Sequence, residues 1–225
     1  MKRIFALSLL LMILAVALAE SDQPVILFRD LEWYTPFSVA DPIIDESSSS
    51  YTTISRYCNI DKIKYVASAY GLSDDYAAEA GIKRKYASVE VAGYTADAVA
   101  YFMYSTETGK IDYSDNNSEL CMGMYVFQDM VDISATYDDL ASKLLALYGN
   151  GEMDQGKEFK AIVWTDEIGN RLCIFYDIPV DVVRIAYCPY DLEDRIANFN
   201  VLRELDKIEQ EEQLREDNAG NTSGL

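Results

Sequence analysis

Apolar and polar side chains alternate through the middle of this chain. Residues 86–94, 97–105 and 119–128 each follow a two-residue period, as in Leu120, Met122, Met124 and Val126 against Cys121, Gly123, Tyr125 and Phe127. That period sends successive side chains to opposite faces of a strand, so the three segments predict an antiparallel meander. Thr106-Glu107-Thr108-Gly109 and the polar run 112–118 connect its second and third strands. The period then changes. Thr136-Tyr137-Asp138-Asp139 is a capping-box-like start, Leu140, Leu144, Leu147 and Tyr148 share one helical face, and Gly149 is a stop signal. Three more strands are predicted at 158–165, 170–177 and 182–188, with turns at Gly169-Asn170 and around Pro179. Residues 190–216 read as a last helix whose apolar stripe is Leu192, Ile196, Phe199, Leu202 and Leu205. Glu and Asp crowd its other faces; a solvated acidic face is the plainer reading, a partner-binding helix the other.

The first third is less regular. Residues 24–29 form a short apolar run that predicts a strand, and Thr35-Pro36 reads as the N-cap and first position of a short helix. Residues 45–53 are polar and predict a loop. Residues 54–72 fit a helix face and a strand equally well. Ser73-Asp74-Asp75 caps a short helix through Ala80, ended by Gly81. The resulting order is helix-β-β-β, helix-β-β-β, helix. It predicts an α+β domain over 20–190, with possible units 24–128 and 134–188, whose helices cover one face of antiparallel sheet. An acidic amphipathic helix at 191–216 and a disordered end at 217–225 complete the chain.

Residues 1–19 read as a cleavable secretory signal peptide. Lys2 and Arg3 form a positive start, Ile4 to Leu18 carry no charge, and Ala17-Leu18-Ala19 supplies the small side chains that signal peptidase accepts. An uncleaved anchor is the rival reading, but the apolar run falls short of the roughly 20 residues that span a bilayer. A lipid anchor needs Cys after the cleavage point; Glu20 stands there. The expected location is therefore extracellular, with no membrane attachment after cleavage.

Charge narrows the partners. Without residues 1–19 the chain holds 17 basic against 38 acidic residues, a net of −21. Such a field repels phosphate backbones and anionic lipid heads, so nucleic acid and membrane surfaces are disfavoured. Solubility alone accounts for the acidity. The 17 Tyr suit strand cores and also binding surfaces. Cys58, Cys121, Cys173 and Cys188 match no zinc spacing and allow two disulfides in three connectivities, with Cys173 and Cys188 the easiest pair, on two arms of one hairpin.

The chain has no His. That removes Ser-His-Asp triads, Cys-His pairs and HExxH zinc sites. No nucleotide-binding glycine motif is present, and no cofactor is implied. Paired carboxylates remain open to a glycan hydrolase, with Asp112, Asp115 and Glu119 as loop candidates. The same loop, 112–119, is rich in oxygen ligands but misses the EF-hand spacing, so no metal site is assigned.

Two stretches carry a resemblance: Phe28-Arg29-Asp30-Leu31-Glu32-Trp33 leading into Thr35, and Leu144-Leu145-Ala146-Leu147-Tyr148-Gly149 ahead of the strand bearing Trp164. Over roughly residues 25–188 the pattern resembles the helix-plus-meander repeats of beta-lactamase inhibitory protein and BamE-like domains of bacteria. The resemblance implies a protein-binding scaffold rather than an enzyme. The chain lacks BamE's lipid-attachment Cys, and no contact residue of the inhibitor carries over. The sequence therefore predicts a secreted bacterial, non-catalytic module that binds another secreted or envelope protein, or a wall polymer. A Tyr-rich sheet face or edge would serve, with Trp33, Tyr94, Tyr101, Tyr104 and Tyr125 as candidate ligand-binding residues. The alternative is a secreted glycan hydrolase using paired carboxylates.

Overall fold

The computed structural model describes residues 24–40, 45–51 and 82–220. The export segment 1–19, the ambiguous stretch 54–72, the short helix expected at 73–80 and the last residues of the tail lie outside them.

The described chain is a mixed α/β structure. Strands β2 (Ile82–Val91), β3 (Tyr94–Tyr104), β4 (Ser118–Phe127), β5 (Glu152–Gln155), β6 (Phe159–Thr165), β7 (Arg171–Asp177) and β8 (Val182–Cys188) form one antiparallel sheet. Strand β1 (Asp45–Tyr51) adds to the outer edge of β2, in a segment that polarity alone predicts to be a loop. The order is β1-β2-β3-β4-β8-β7-β6-β5. Two helices accompany the sheet, α1 (Ile133–Tyr148) and the C-terminal α2 (Leu192–Gly220).

The two predicted meanders are both present. β2 and β3 turn at Ala92-Gly93, both at positive φ (53° and 89°), which matches the twist of a tight hairpin. The last strand of each meander, β4 and β8, pairs with the other around Tyr125↔Ile185. The order is thus symmetric about that seam.

Helices lie on both faces, not one. A cluster holding Tyr137, Leu140 and Leu144 of α1 includes Phe102, Leu120, Phe127, Ile174 and Ile185. The opposite cluster holds Leu192, Ile196 and Phe199 of α2 with Tyr101, Met124, Cys173 and Phe175. Burial on two sides is written into the strands: β3 is buried at seven successive positions, 98–104, as a doubly covered strand must be. A bulge in β4 also corrects the expected alternation. Tyr101 pairs with Met122 but Phe102 pairs with Leu120, so Cys121 is the extra residue. Leu120 therefore joins Tyr125 and Phe127 in one cluster, while Cys121 joins Met122 and Met124 in the other.

Residues 24–40 form neither the expected strand nor the expected helix. They make a strap that completes the sheet. β8 ends at Cys188, and the strap takes up the edge of β4 beyond it. The Tyr34 N–H donates to Leu120 O (2.8 Å), Leu120 N–H to Thr35 O (2.9 Å) and Phe37 N–H to Ser118 O (2.7 Å). Ile26 and Phe28 are buried at the strap's start. Its backbone is anchored where Ile26 N–H donates to the buried Asp166 carboxylate (2.9 Å). The same carboxylate accepts from the backbone N–H groups of Ile168, Gly169 and Asn170 at 2.8–3.0 Å, closing the β6–β7 turn.

Helix α1 begins earlier than expected. Asp132 is its N-cap and accepts from Ala135 N–H (3.0 Å), while Thr136 donates its hydroxyl to the Asp132 carbonyl (3.0 Å). Gly149 ends it, donating its N–H to Leu145 O (3.0 Å). Helix α2 continues to Gly220, through the first four of the nine residues expected to be disordered.

Cys121, Cys173 and Cys188 are buried thiols, so the pair easiest to bridge, Cys173 and Cys188, is not bridged. The register gives the reason. Cys173 pairs with Ala186, and Cys188 pairs with Arg171, two positions along. That diagonal separation, about 7–8 Å, exceeds the usual Cα span of a disulfide. Cys58 lies outside the described residues.

Close packing at the seam rests on one glycine. The Phe28 ring lies directly on Gly123, where an added Cβ would stand 2.0 Å from the ring's Cγ. The ring also meets Tyr125 (5.1 Å between centroids) and Tyr187 (5.8 Å). Gly123→Ala is expected to cost about 1–3 kcal/mol through overpacking. Urea unfolding checks this, and adding Phe28→Ala to Gly123→Ala should cost less than the sum of the two single changes. Strict additivity would show that the two do not interact.

Candidate functional site

The five aromatic residues singled out by sequence do not form one surface. Tyr101 is 1% exposed, Tyr104 8% and Tyr125 7%, so these three are core and offer no sheet face to a ligand. The sheet-face site expected from the alternation is closed by α1 on one side and α2 on the other. Trp33 is half-buried, and its indole N–H donates to Ile26 O (3.0 Å), which folds the strap upon itself. Tyr94 is half-buried beside α1. Its hydroxyl donates to Asp139 (2.9 Å), and the Lys143 ammonium lies 5.2 Å above its ring. That hydrogen bond to Asp139 raises the Tyr94 hydroxyl above its ordinary range.

The acidic loop candidates also separate. Asp112 accepts from Asn117 Nδ2 (2.7 Å) and Ser114 N–H (2.8 Å), which shape its own loop and hold its carboxyl below the ordinary range. Asp115 lies in a short 3-10 turn, Asp115–Asn117. Glu119 belongs to a different constellation. Its carboxylate meets Arg195 Nη1 at 3.1 Å, and Arg195 Nε meets Asp191 at 3.2 Å. The Arg195 guanidinium stacks 3.3 Å from the centroid of Tyr34, whose hydroxyl donates to Asp191. This cluster joins strap, β4 and α2. Burial raises the Glu119 carboxyl, outweighing the pull of Arg195 and of Ser105 in the other direction. Burial, with Asp191 beside it, likewise raises the Tyr34 hydroxyl. Every charged group here is spent on a neighbour, which is the chemistry of a fastening.

Sequence reasoning missed a groove of about 590 Å³ between α1 and the β5–β6 edge. Helix α1 supplies Tyr137, Asp138, Ala141 and Leu145, which the helical repeat brings to one side. Strands β5 and β6 supply Met153, Asp154, Lys160 and Ile162. Gly151 lets the chain enter β5 closely: a Cβ there would lie 2.5 Å from Ile162 Cγ2 and 2.9 Å from the Trp164 ring. The floor is apolar, with Ile162 buried among the residues that α1 covers. The rim is charged. Lys160 Nζ lies 3.6 Å from Asp138 and 5.4 Å above the Tyr137 ring. Burial pushes the Tyr137 hydroxyl up to about 12, with smaller contributions from Cys173 and Asp138. Met153 is 68% exposed at the mouth, on the strand that ends the sheet. Asp138 and Asp154 both border the depression, but Asp154 pairs with Ala161, whose side chain belongs to the cluster on the opposite face of the sheet. The Asp138 side chain is 66% exposed and ion-paired, without the apolar enclosure that suits a general acid. The single signal for the groove in the sequence is Gly151-Glu152-Met153-Asp154-Gln155-Gly156, a short polar run bracketed by glycines.

Among the described residues no group of three or more Cys, Asp or Glu could hold a metal ion, and no helix is long and apolar enough to cross a membrane. No protein-family model, curated protein or solved structure matches this chain.

The fastening predicts a pH signature. A carboxyl raised by folding favours the folded state while protonated and loses that advantage as pH rises through its folded value. The stability of the native chain minus that of Glu119→Gln should therefore fall as pH rises above the ordinary glutamate range in urea titrations. A constant difference would mean that Glu119 titrates alike in both states.

Proposed function

We propose that this chain is an exported, non-catalytic protein-binding module that takes an extended peptide segment along β5, with side chains entering the groove beside α1. The observation that carries the reading is the coincidence of a sheet-ending strand with an apolar-floored, charge-rimmed groove. Strand addition supplies affinity through the backbone, and alternate side chains supply specificity. Apolar residues of the peptide meet Leu145, Met153 and Ile162; basic ones meet Asp138, in keeping with the acidity of the chain. The export pattern of residues 1–19 and the helix-plus-meander resemblance support the same reading. So does a two-unit interpretation, in which β2-β3-β4 and β6-β7-β8 are counterparts across the β4–β8 seam. The bacterial source is part of the proposal, as is extracellular location.

A displayed-peptide library selected on the exported chain should yield sequences alternating apolar and basic residues. Met153→Glu and Lys160→Glu line opposite parts of the groove. The first is expected to weaken a selected peptide tenfold or more, about 1.4 kcal/mol, and the second to shift selection further toward basic residues. Peptides that bind both variants unchanged would remove the groove from consideration. The second reading, a glycan hydrolase, draws on the two carboxylates, Asp138 and Asp154, that border the groove. It requires turnover of a wall glycan that Asp138→Asn and Asp154→Asn each abolish.

A further inference from the structure

Helix α2 is apolar on two opposite sides, and the body uses one of them. Leu192, Ile196 and Phe199 are buried against the sheet. Val201, Leu205 and Ile208 are 59%, 51% and 52% exposed. Their i, i+4, i+7 spacing places them within about 60° of one another on the helix. Phe199 and Val201 are two residues apart, a rotation of about 200°, so the second stripe faces directly away from the sheet. The helix also outruns its support. Residues 207–218 are exposed throughout, a length of about 18 Å at the helical rise.

Acidic residues edge the outer stripe. Glu204, Glu211, Glu212 and Glu216 fall beside it or in line with it, and the one base on that side, Arg215, is 3.8 Å from Glu211. A solvated helix of this length is marginal in water on its own, and a surface helix needs no second apolar line. The arrangement is that of a helix made to be packed from outside.

We infer that the outer face of α2 docks an amphipathic helix of another protein whose apolar stripe is flanked by Lys and Arg. Charge decides the occupant. A second copy of this chain would set Glu against Glu, with a net charge of −19 on each precursor chain. A basic helix meets the acidic edges while its apolar residues cover Val201, Leu205 and Ile208. This surface is separate from the groove at β5, so each can fail without the other.

The test uses the full chain and two synthetic 21-residue helices that share a Leu stripe. One carries Lys beside the stripe and the other Glu. The Lys-flanked helix should bind saturably and the Glu-flanked helix should not. The double variant Leu205→Glu/Ile208→Glu should reduce binding of the Lys-flanked helix tenfold or more, with its thermal midpoint unchanged because both side chains face solvent. That variant adds negative charge, so simple electrostatic adsorption would instead grow stronger. Equal or stronger binding by the variant overturns the inference, as does equal binding of the two peptides. Sedimentation of the chain alone provides the remaining check: self-association lost in the same variant would assign the stripe to a second copy and overturn the basic partner.

Discussion

The pairing of β4 with β8 is the constraint on which the rest of the structure depends. It spans five residue pairs, from Gly123↔Tyr187 to Phe127↔Val183. Each flanking meander is a local structure, but neither buries two faces alone. Joined, they make a sheet wide enough to carry a cluster on each side. Phe28, Tyr125 and Tyr187 cross the seam on one face; Met124 and Ala186 cross it on the other. The seam also fixes where the strap goes. Because β8 stops short of the start of β4, an edge of β4 is left for residues 34–37 to complete. Without that segment, backbone groups around Leu120, a fully buried residue, would lose their partners.

The strap and α2 are held together as well as to the sheet. Tyr34, Glu119, Asp191 and Arg195 come from three elements, and the half-buried guanidinium satisfies two carboxylates and one ring. An exposed pair such as Lys110–Glu209 contributes little by comparison, being screened by water. The cluster works as a unit because each member orients the next: Asp191 accepts from Tyr34 and from Arg195, and Arg195 reaches on to Glu119. Polar chemistry here specifies a junction, whereas the groove at β5 leaves its rim open to solvent.

Regular elements were legible in the sequence where local pattern and tertiary role agree. β3 and β6 to β8 follow their alternation, β4 does so beyond its bulge, and Gly149 stops α1 as its position implies. What was illegible is non-local. The bulge at Cys121 is invisible because alternation reads through it, and only the pairing with β3 reveals the extra residue. The strap's apolar residues imitate a strand and a helix start, but their hydrogen-bond partners lie in β4, over eighty residues away. β5 lacks apolar alternation and becomes a strand because β6 offers it an edge. The Tyr residues fit both core and surface, and burial decided for core at 101, 104 and 125. The groove joins Tyr137 to Lys160, a juxtaposition that no linear motif encodes. In α2 the reading failed partway: from Phe199 to Leu202 to Leu205 each three-residue step turns the face back by about 60°, so Leu205 ends on the far side.

The projecting half of α2 has a mechanical consequence. It is a cantilever rooted where Ile196, Phe199 and Leu202 pack on the sheet, and Tyr34 and Glu119 grip the start of the helix from the strap and from β4. Tension applied along the helix reaches the middle of the sheet first and its edges last. The contacts at the root share that load in parallel, and behind them stand the hydrogen-bonded ladders of β4 with β3 and β8. A chain tethered by this helix would be held by its interior, leaving β5 and its groove at the far edge of the sheet free of strain.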